Sequence, residues 1–215
     1  QGFRAGCVFA NVPEYLFKFR LDENFFERRR GWKHAKSIFT LRRRVNKMLN
    51  YGLDADLWAL AYAIAKLMPK FKFELVLNES QENIDSYWES NKIEKIENLV
   101  VYPRQKDVAP FYSRASIVLN LSNKELVVET FGLTVLEAFS AGVPVIVPTV
   151  GGIAELVTND KNGYKIDSSE LNNITDRINE LLSNKKLYEN ISNEALKTSY
   201  LYSYDKMITQ IINII

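Results

Sequence analysis

The chain has almost none of the residues on which disulfides, thiolate metal centres and imidazole chemistry depend. Cys7 is its only cysteine and His34 its only histidine. A single cysteine excludes an intrachain disulfide and a cysteine metal site. No Ser-His-Asp set is evident, and no acidic cluster has metal-ligand spacing, so neither a metal nor another cofactor is expected. His34 reads as a structural or surface residue. No apolar run reaches the roughly 18–20 residues that a membrane-spanning helix needs, and no signal-peptide pattern is present. With the near-absence of cysteine, this makes the cytoplasm the expected compartment. An excess of one charge is missing too: 28 lysines and arginines face 26 aspartates and glutamates, for a net charge of +2. That balance gives no reason to expect a nucleic acid as the main partner.

The overall balance hides an asymmetry. Residues 1–50 hold twelve basic and four acidic side chains, and nine aromatic ones between Phe3 and Phe39. A basic, aromatic segment must cover something or bind something. The first residue is Gln1 rather than methionine, so a piece of a longer protein is expected. Residues 1–35 read as an interdomain segment that could also touch a membrane surface.

From Ser37 onward, strand-like and helix-like segments alternate. Strands are expected at Ser37–Leu41, Phe73–Leu77, Leu99–Tyr102, Ile117–Leu121 and Val143–Val147. The first helix carries Leu57, Leu60, Ala61, Ile64, Leu67 and Met68 on one face, with Asp54 and Asp56 as candidate N-caps and Pro69 as its stop. A short helix is expected within the polar stretch Gln81–Asn91, and further helices over Asp107–Arg114 and Leu133–Ala141, the last apolar nearly all round and hence deeply buried. After Gly151-Gly152 come a short helix, a turn at Asn162-Gly163, a small edge strand and two helices. The tail from 199 to 215 reads as an amphipathic helix. Short buried strands alternating with helices imply an α/β domain with a doubly wound, parallel, Rossmann-like sheet over 36–198. Ligands of such sheets sit at the carboxyl ends of the strands.

At one such exit the chain reads Glu129-Thr-Phe-Gly-Leu-Thr-Val-Leu-Glu137, continuing through Ala-Gly-Val-Pro-Val-Ile to Gly151-Gly-Ile-Ala-Glu155. The mouth of the Leu133 helix presents free N–H groups from about Phe131 to Thr134, which favour a phosphate. Gly132 would let backbone approach an anion closely. Glu137, one turn into the helix, needs a partner if buried, and sugar or ribose hydroxyls are suitable donors. Taken alone, the two glutamates fit a helix cap and an ion pair better than a ligand site. The whole pattern, however, closely resembles glycosyltransferase family 4 of the GT-B fold.

The resemblance implies roles residue by residue. Glu129 would contact the donor sugar's hydroxyls near the reacting carbon, and Glu137 would hold the ribose hydroxyls. The N–H groups of Phe131, Gly132 and Leu133 would hold the diphosphate or the sugar. In the family a strand ends in an arginine with a lysine five positions on, and both neutralise the donor diphosphate. Arg42 and Lys47 match that spacing, although Leu41 and Met48 stand where glycine is common, and Arg43 or Arg44 fits if the register slips. Alone, Arg42-Arg43-Arg44 reads as a solvated basic loop or a nucleic-acid patch. Arg104 lies at the third strand's exit, where the family usually holds the base. Asn120 and Ser122 are read as shaping the loop.

The function so implied is the C-terminal, donor-binding half of a retaining hexosyltransferase. It would move sugar from a nucleoside-diphosphate sugar, its substrate rather than a cofactor, to a glycan or glycolipid acceptor, as in polysaccharide biosynthesis. Its partners would be that donor, the acceptor and a missing N-terminal domain. The alternatives are a non-catalytic nucleotide-sugar or glycan-binding module, another GT-B enzyme such as an epimerase or phosphorylase, and a nucleic-acid binder using Arg28–Arg30 and Arg42–Arg44.

Overall fold

A computed structural model describes residues 32–49, 53–91 and 95–203, together with 206, 208, 209 and 212. The expectations for residues 1–31, and most of those for the tail, lie outside the described residues. The chain order is α1 (Trp32–Leu49), α2 (Leu53–Leu67), β1 (Phe73–Val76), α3 (Gln81–Asn91), β2 (Leu99–Tyr102), α4 (Ala109–Arg114), β3 (Val118–Leu119), α5 (Leu133–Ser140), β4 (Val145–Val147), α6 (Gly152–Glu155), β5 (Gly163–Lys165), α7 (Leu171–Ser183) and α8 (Lys185–Leu201). Every strand pair is parallel, as expected of an α/β fold. The pairs form two ladders, β1-β2 and β3-β4-β5, rather than one continuous sheet.

β4 shows why the second ladder is buried on both faces. Val145 and Val147 point into a cluster with Val135, Phe139 and Ile153, while Ile146, between them, points into a cluster with Ile64, Ile174 and Leu181. That alternation is the period of two of a strand, and all three β4 side chains are fully buried. The first face is covered by α5, α6 and α8. The second is covered by α2 and α7. A third cluster, built on Trp58, Tyr62, Leu77, Ile84 and Leu99, packs α2 and α3 against β1-β2. Because all strands run the same way, the exits of β3, β4 and β5 open on one edge.

Three expectations require correction. Residues 37–41 are not a strand but the middle of α1. The β-branched look of Ile38 and Thr40 was misleading. Ala35 and Phe39 are buried four residues apart, Lys36, Ser37, Thr40 and Leu41 are exposed, and no glycine or proline interrupts the run. Second, α2 opens at Leu53, so neither Asp54 nor Asp56 is its cap; Asp56 lies buried in the first turn. Third, α5 is not buried all round. Val135, Ala138 and Phe139 face the core, but Leu133 is 64% exposed and Glu137 is exposed.

Candidate active site

The loop between β3 and α5 carries the site. β3 delivers Asn120, then Ser122 and Asn123, both buried. The Ser122 hydroxyl donates to Glu129 Oε1 at 2.6 Å, and the Asn120 side-chain amide donates to Glu129 Oε2 at 3.3 Å and to Thr134 Oγ1 at 2.9 Å. Asn120 Oδ1 lies 3.1 Å from the same serine oxygen. A hydroxyl has one proton, and the shorter, charge-assisted bond to the carboxylate takes it. Asn120 and Ser122 therefore do more than shape the loop: they hold half-buried Glu129 by both oxygens.

The glycine pair locks that loop in place. Gly152 N–H donates to the Glu129 carbonyl at 2.8 Å. A Cβ on Gly152 would sit 1.8 Å from the Thr130 carbonyl oxygen, a distance no side chain can occupy, and one on Gly151, at φ +93°, would sit 2.6 Å from the Glu129 carbonyl. Gly132 has a different reason from the one expected. A Cβ there would meet Ile153 Cγ1 at 2.8 Å, so its smallness serves loop-to-helix packing.

Gly132 is also the N-cap of α5 and supplies no side-chain cap. Among the described residues, nothing accepts a hydrogen bond from the N–H groups of Phe131, Gly132, Leu133 or Thr134. This helix mouth presents open donors and a positive dipole end, a favourable seat for an anion. Leu133, Thr134 and Glu137 share the exposed stripe of α5, so Glu137 follows one turn behind the open donors.

Glu137 is thus not the buried carboxylate expected. Its Oε2 accepts a 2.8 Å hydrogen bond from the Tyr112 hydroxyl on α4. Burial, and then the Glu137 carboxylate itself, push the Tyr112 phenol far above its ordinary range, so it remains a donor. Among the described residues neither Glu129 nor Glu137 forms an ion pair.

The remaining residues singled out in the sequence lie elsewhere. Arg42 and Lys47 sit on α1 rather than at a strand exit. The Arg42 guanidinium stacks on the Tyr62 ring at 4.8 Å, and the Lys47 side chain lies outside the described residues. Arg104 Nε donates to Asn78 Oδ1 at 2.6 Å, tying together the exits of β1 and β2. No hydrogen bond or ion pair among the described residues links Arg42 or Arg104 to either glutamate.

Two charged groupings had no signal in the sequence. Arg43 bridges from α1 to Asp56, at 3.4 Å, and to Ser168 Oγ, at 3.0 Å. Burial raises the Asp56 carboxyl despite Arg43 beside it. Arg43 and Asp56 line a cavity of about 650 Å³ with Lys36, Asn123 and Asn172. At the exits of β4 and β5, Asp167 accepts from Lys124 Nζ at 2.5 Å and from the Thr149 N–H and hydroxyl at 3.0 and 2.8 Å. Burial opposes its ionisation, but those donors outweigh it and hold the carboxyl below its ordinary range.

The family model described as "Glycosyl transferases group 1" matches residues 61–198, more than half of the chain. The chain belongs to that family. As a group 1 glycosyl transferase it is 29% identical over 150 residues to N-acetyl-alpha-D-glucosaminyl L-malate synthase of Bacillus anthracis, covering 69% of this chain and 38% of that one. It is 30% identical over 108 residues to sucrose-phosphate synthase of Zea mays, covering 49% and 10%. The chain therefore spans well under half the length of either relative.

The fold agrees. The C-terminal domain of a group 1 glycosyl transferase from Francisella tularensis superposes with a TM-score of 0.51 at 21% identity, covering 69% of this chain and 76% of that one. HepE from Anabaena, solved with UDP and glucose, superposes at 0.58 and 18% identity, covering 73% and 44%. The transferase fold here is thus that of a GT-B C-terminal domain. The matched segment begins after Arg42 and Lys47, so the family model does not reach the part of the chain where helix replaces the expected strand. Among the described residues no helix is long and apolar enough to cross a membrane.

Proposed function

We propose that this chain is the donor-binding half of a retaining hexosyltransferase that moves sugar from a nucleoside-diphosphate sugar to a saccharide or lipid-linked acceptor. One observation carries the reading: a helix mouth whose four N–H donors have no acceptor among the described residues is flanked by two carboxylates, Glu129 and Glu137, each held by neutral donors and by no cation among those residues. An anion fits the mouth, and hydroxyl groups fit the carboxylates. In the reaction, the bond from the anomeric carbon to the diphosphate oxygen breaks with its electron pair going to the diphosphate, a bond to the acceptor oxygen forms, and the acceptor hydroxyl's proton is released to solvent. The leaving diphosphate gains charge where the N–H groups of Phe131, Gly132 and Leu133 converge. Glu129 orients the sugar, Glu137 the ribose, and Arg104 borders the base. The acceptor is met by the part of the protein that this chain does not include. The reading needs no metal, so chelation with EDTA leaves donor affinity unchanged.

Calorimetry with UDP, GDP and ADP tests the reading and reveals the base. One of the three binds, and Glu137→Ala weakens it. Undiminished binding in Glu137→Ala overturns the site assignment.

A second reading has one observation in its favour. With Arg42 stacked on Tyr62, the cation expected at the diphosphate is engaged elsewhere. A donor-binding module without turnover would need no such cation. Donor binding with no transfer by the full-length protein, across glycan and glycolipid acceptors, decides for that reading.

A further inference from the structure

The reading above leaves one contact unused. Glu137 is an exposed glutamate on a surface stripe, and such a side chain ordinarily samples many rotamers. Here it does not stand free, because Tyr112 reaches across from α4 to its Oε2.

α4 is well placed to act as a fixed post. It is a short helix with Pro110 in its first turn, and Phe111 packs edge-on against Tyr102 of β2, ring centroids 5.0 Å apart at 81°. Arg114, at its end, covers the Phe111 ring at 4.3 Å and pairs with Glu74 of β1 at 2.9 Å. The Tyr112 ring itself packs against the cluster of Val135, Phe139 and Val145. The ring is therefore held by apolar contacts on one side, while its hydroxyl emerges at the Glu137 carboxylate. A tyrosine has only two side-chain torsions, so holding it costs little entropy.

The consequence is geometric. A carboxylate offers about four lone-pair sites, two on each oxygen. Tyr112 occupies one of them, on Oε2, which anchors that oxygen, narrows the orientations open to the carboxylate and leaves Oε1 without a partner among the described residues. An anchored carboxylate edge with open acceptor sites suits two adjacent hydroxyls better than one. We infer that Tyr112 is a positioning residue: it sets the Glu137 carboxylate to take the vicinal diol of a ribonucleotide, and so makes the site prefer ribose over 2′-deoxyribose. This rests on the donor-binding reading, since it presupposes that Glu137 faces the ribose.

The test compares two ligands that differ by one hydroxyl. Take whichever of UDP, GDP and ADP binds most tightly, and its 2′-deoxy counterpart, and measure both by calorimetry on the intact chain. Wild type prefers the ribonucleotide by about tenfold or more, the scale of a hydrogen bond to a charged group. Tyr112→Phe keeps the ring and its packing and removes only the hydroxyl. It weakens the ribonucleotide by about tenfold, leaves the deoxynucleotide nearly unchanged, and brings the ratio toward one. Glu137→Gln does the same directly.

If Tyr112→Phe weakens both ligands equally, or neither, while Glu137→Gln collapses the ratio, the tyrosine does not position the carboxylate and the inference falls with the donor reading intact. If no ribonucleotide binds wild type, or Glu137→Gln leaves the ratio untouched, the ribose assignment fails and the inference goes with it.

Discussion

Two sets of carboxylates in this chain contrast. In one set each faces a cation: Asp167 faces Lys124, Glu74 faces Arg114 and Lys72, and Asp56 faces Arg43. Around the mouth of α5 they face neutral donors: Glu129 has Ser122 and Asn120, and Glu137 has Tyr112. An ion pair uses up its charge inside the protein. A carboxylate held only by hydroxyl and amide groups keeps its full negative charge with a restricted orientation, which is what recognition of a hydroxyl-bearing ligand requires. Neutral-donor carboxylates also occur at Glu79, Asp85 and Glu170; what sets Glu129 and Glu137 apart is that theirs lie beside the mouth of α5.

The glycine pair is where the two kinds of region meet, and it gives the largest expected effect. Gly152→Ala forces a methyl group into the Thr130 carbonyl. The strain of such overpacking costs about 1–3 kcal/mol or more and displaces the loop that carries Glu129. An unfolding free energy from urea titration lowered by that amount, together with lost nucleotide binding, is expected; an unchanged unfolding free energy contradicts the packing account.

Ser122→Ala should act more narrowly. It removes the shorter bond to Glu129, a contact to a charged group worth about 1.5–3 kcal/mol. Affinity for the nucleotide sugar falls, while affinity for the bare nucleoside diphosphate is retained. Equal weakening of the two ligands would assign Ser122 to the fold rather than to the sugar.

The paired carboxylates predict an acid response. Burial opposes ionisation of Glu74 and Asp167, yet their cations hold both below the ordinary carboxylate range. Groups depressed in the folded state contribute stability that is present above the unfolded value, about 4, and is lost as pH falls through the lower folded values. Asp56, raised by burial, has the opposite sign: its contribution is present at low pH and is lost as pH rises through its folded value. Denaturation midpoints between pH 6 and 3 should therefore fall, and the double variant Glu74→Gln, Asp167→Asn should flatten the fall. The smallest effect is expected at Asp56→Asn, which trades an ionised group that burial disfavours for a neutral one. Nucleotide affinity stays within about twofold, the scale of a change that touches no ligand.

Much of this was legible in the sequence, and the rest was not for physical reasons. Val143–Val147 read as a buried strand from its branched apolar residues, and its last three, between Pro144 and Pro148, form β4. Leu99–Tyr102 is the strand expected, and the polar stretch Gln81–Asn91, expected to contain a short helix, is helical throughout. Ser37–Leu41 reads as a strand because five residues with Ile and Thr suggest one locally, whereas the deciding spacing, Ala35 to Phe39, begins outside those five residues. The glutamates were found because they share one motif. Tyr112 and Glu137 lie 25 residues apart, and Arg43 and Ser168 lie 125 apart. Contacts of that kind exist only once the chain has folded. The burial of Glu137 was misjudged because its neighbours Val135, Leu136, Ala138 and Phe139 are apolar, and apolar neighbours do not reveal which stripe of a helix is turned outward.

The most direct test sets one carboxylate of each kind against the other. Nucleoside diphosphate binding is measured by calorimetry for the wild-type chain, for Glu137→Ala and for Asp167→Asn. The account predicts about tenfold or greater weakening in Glu137→Ala, and an affinity within about twofold of wild type in Asp167→Asn. Equal weakening in the two variants, or none in Glu137→Ala, would contradict it.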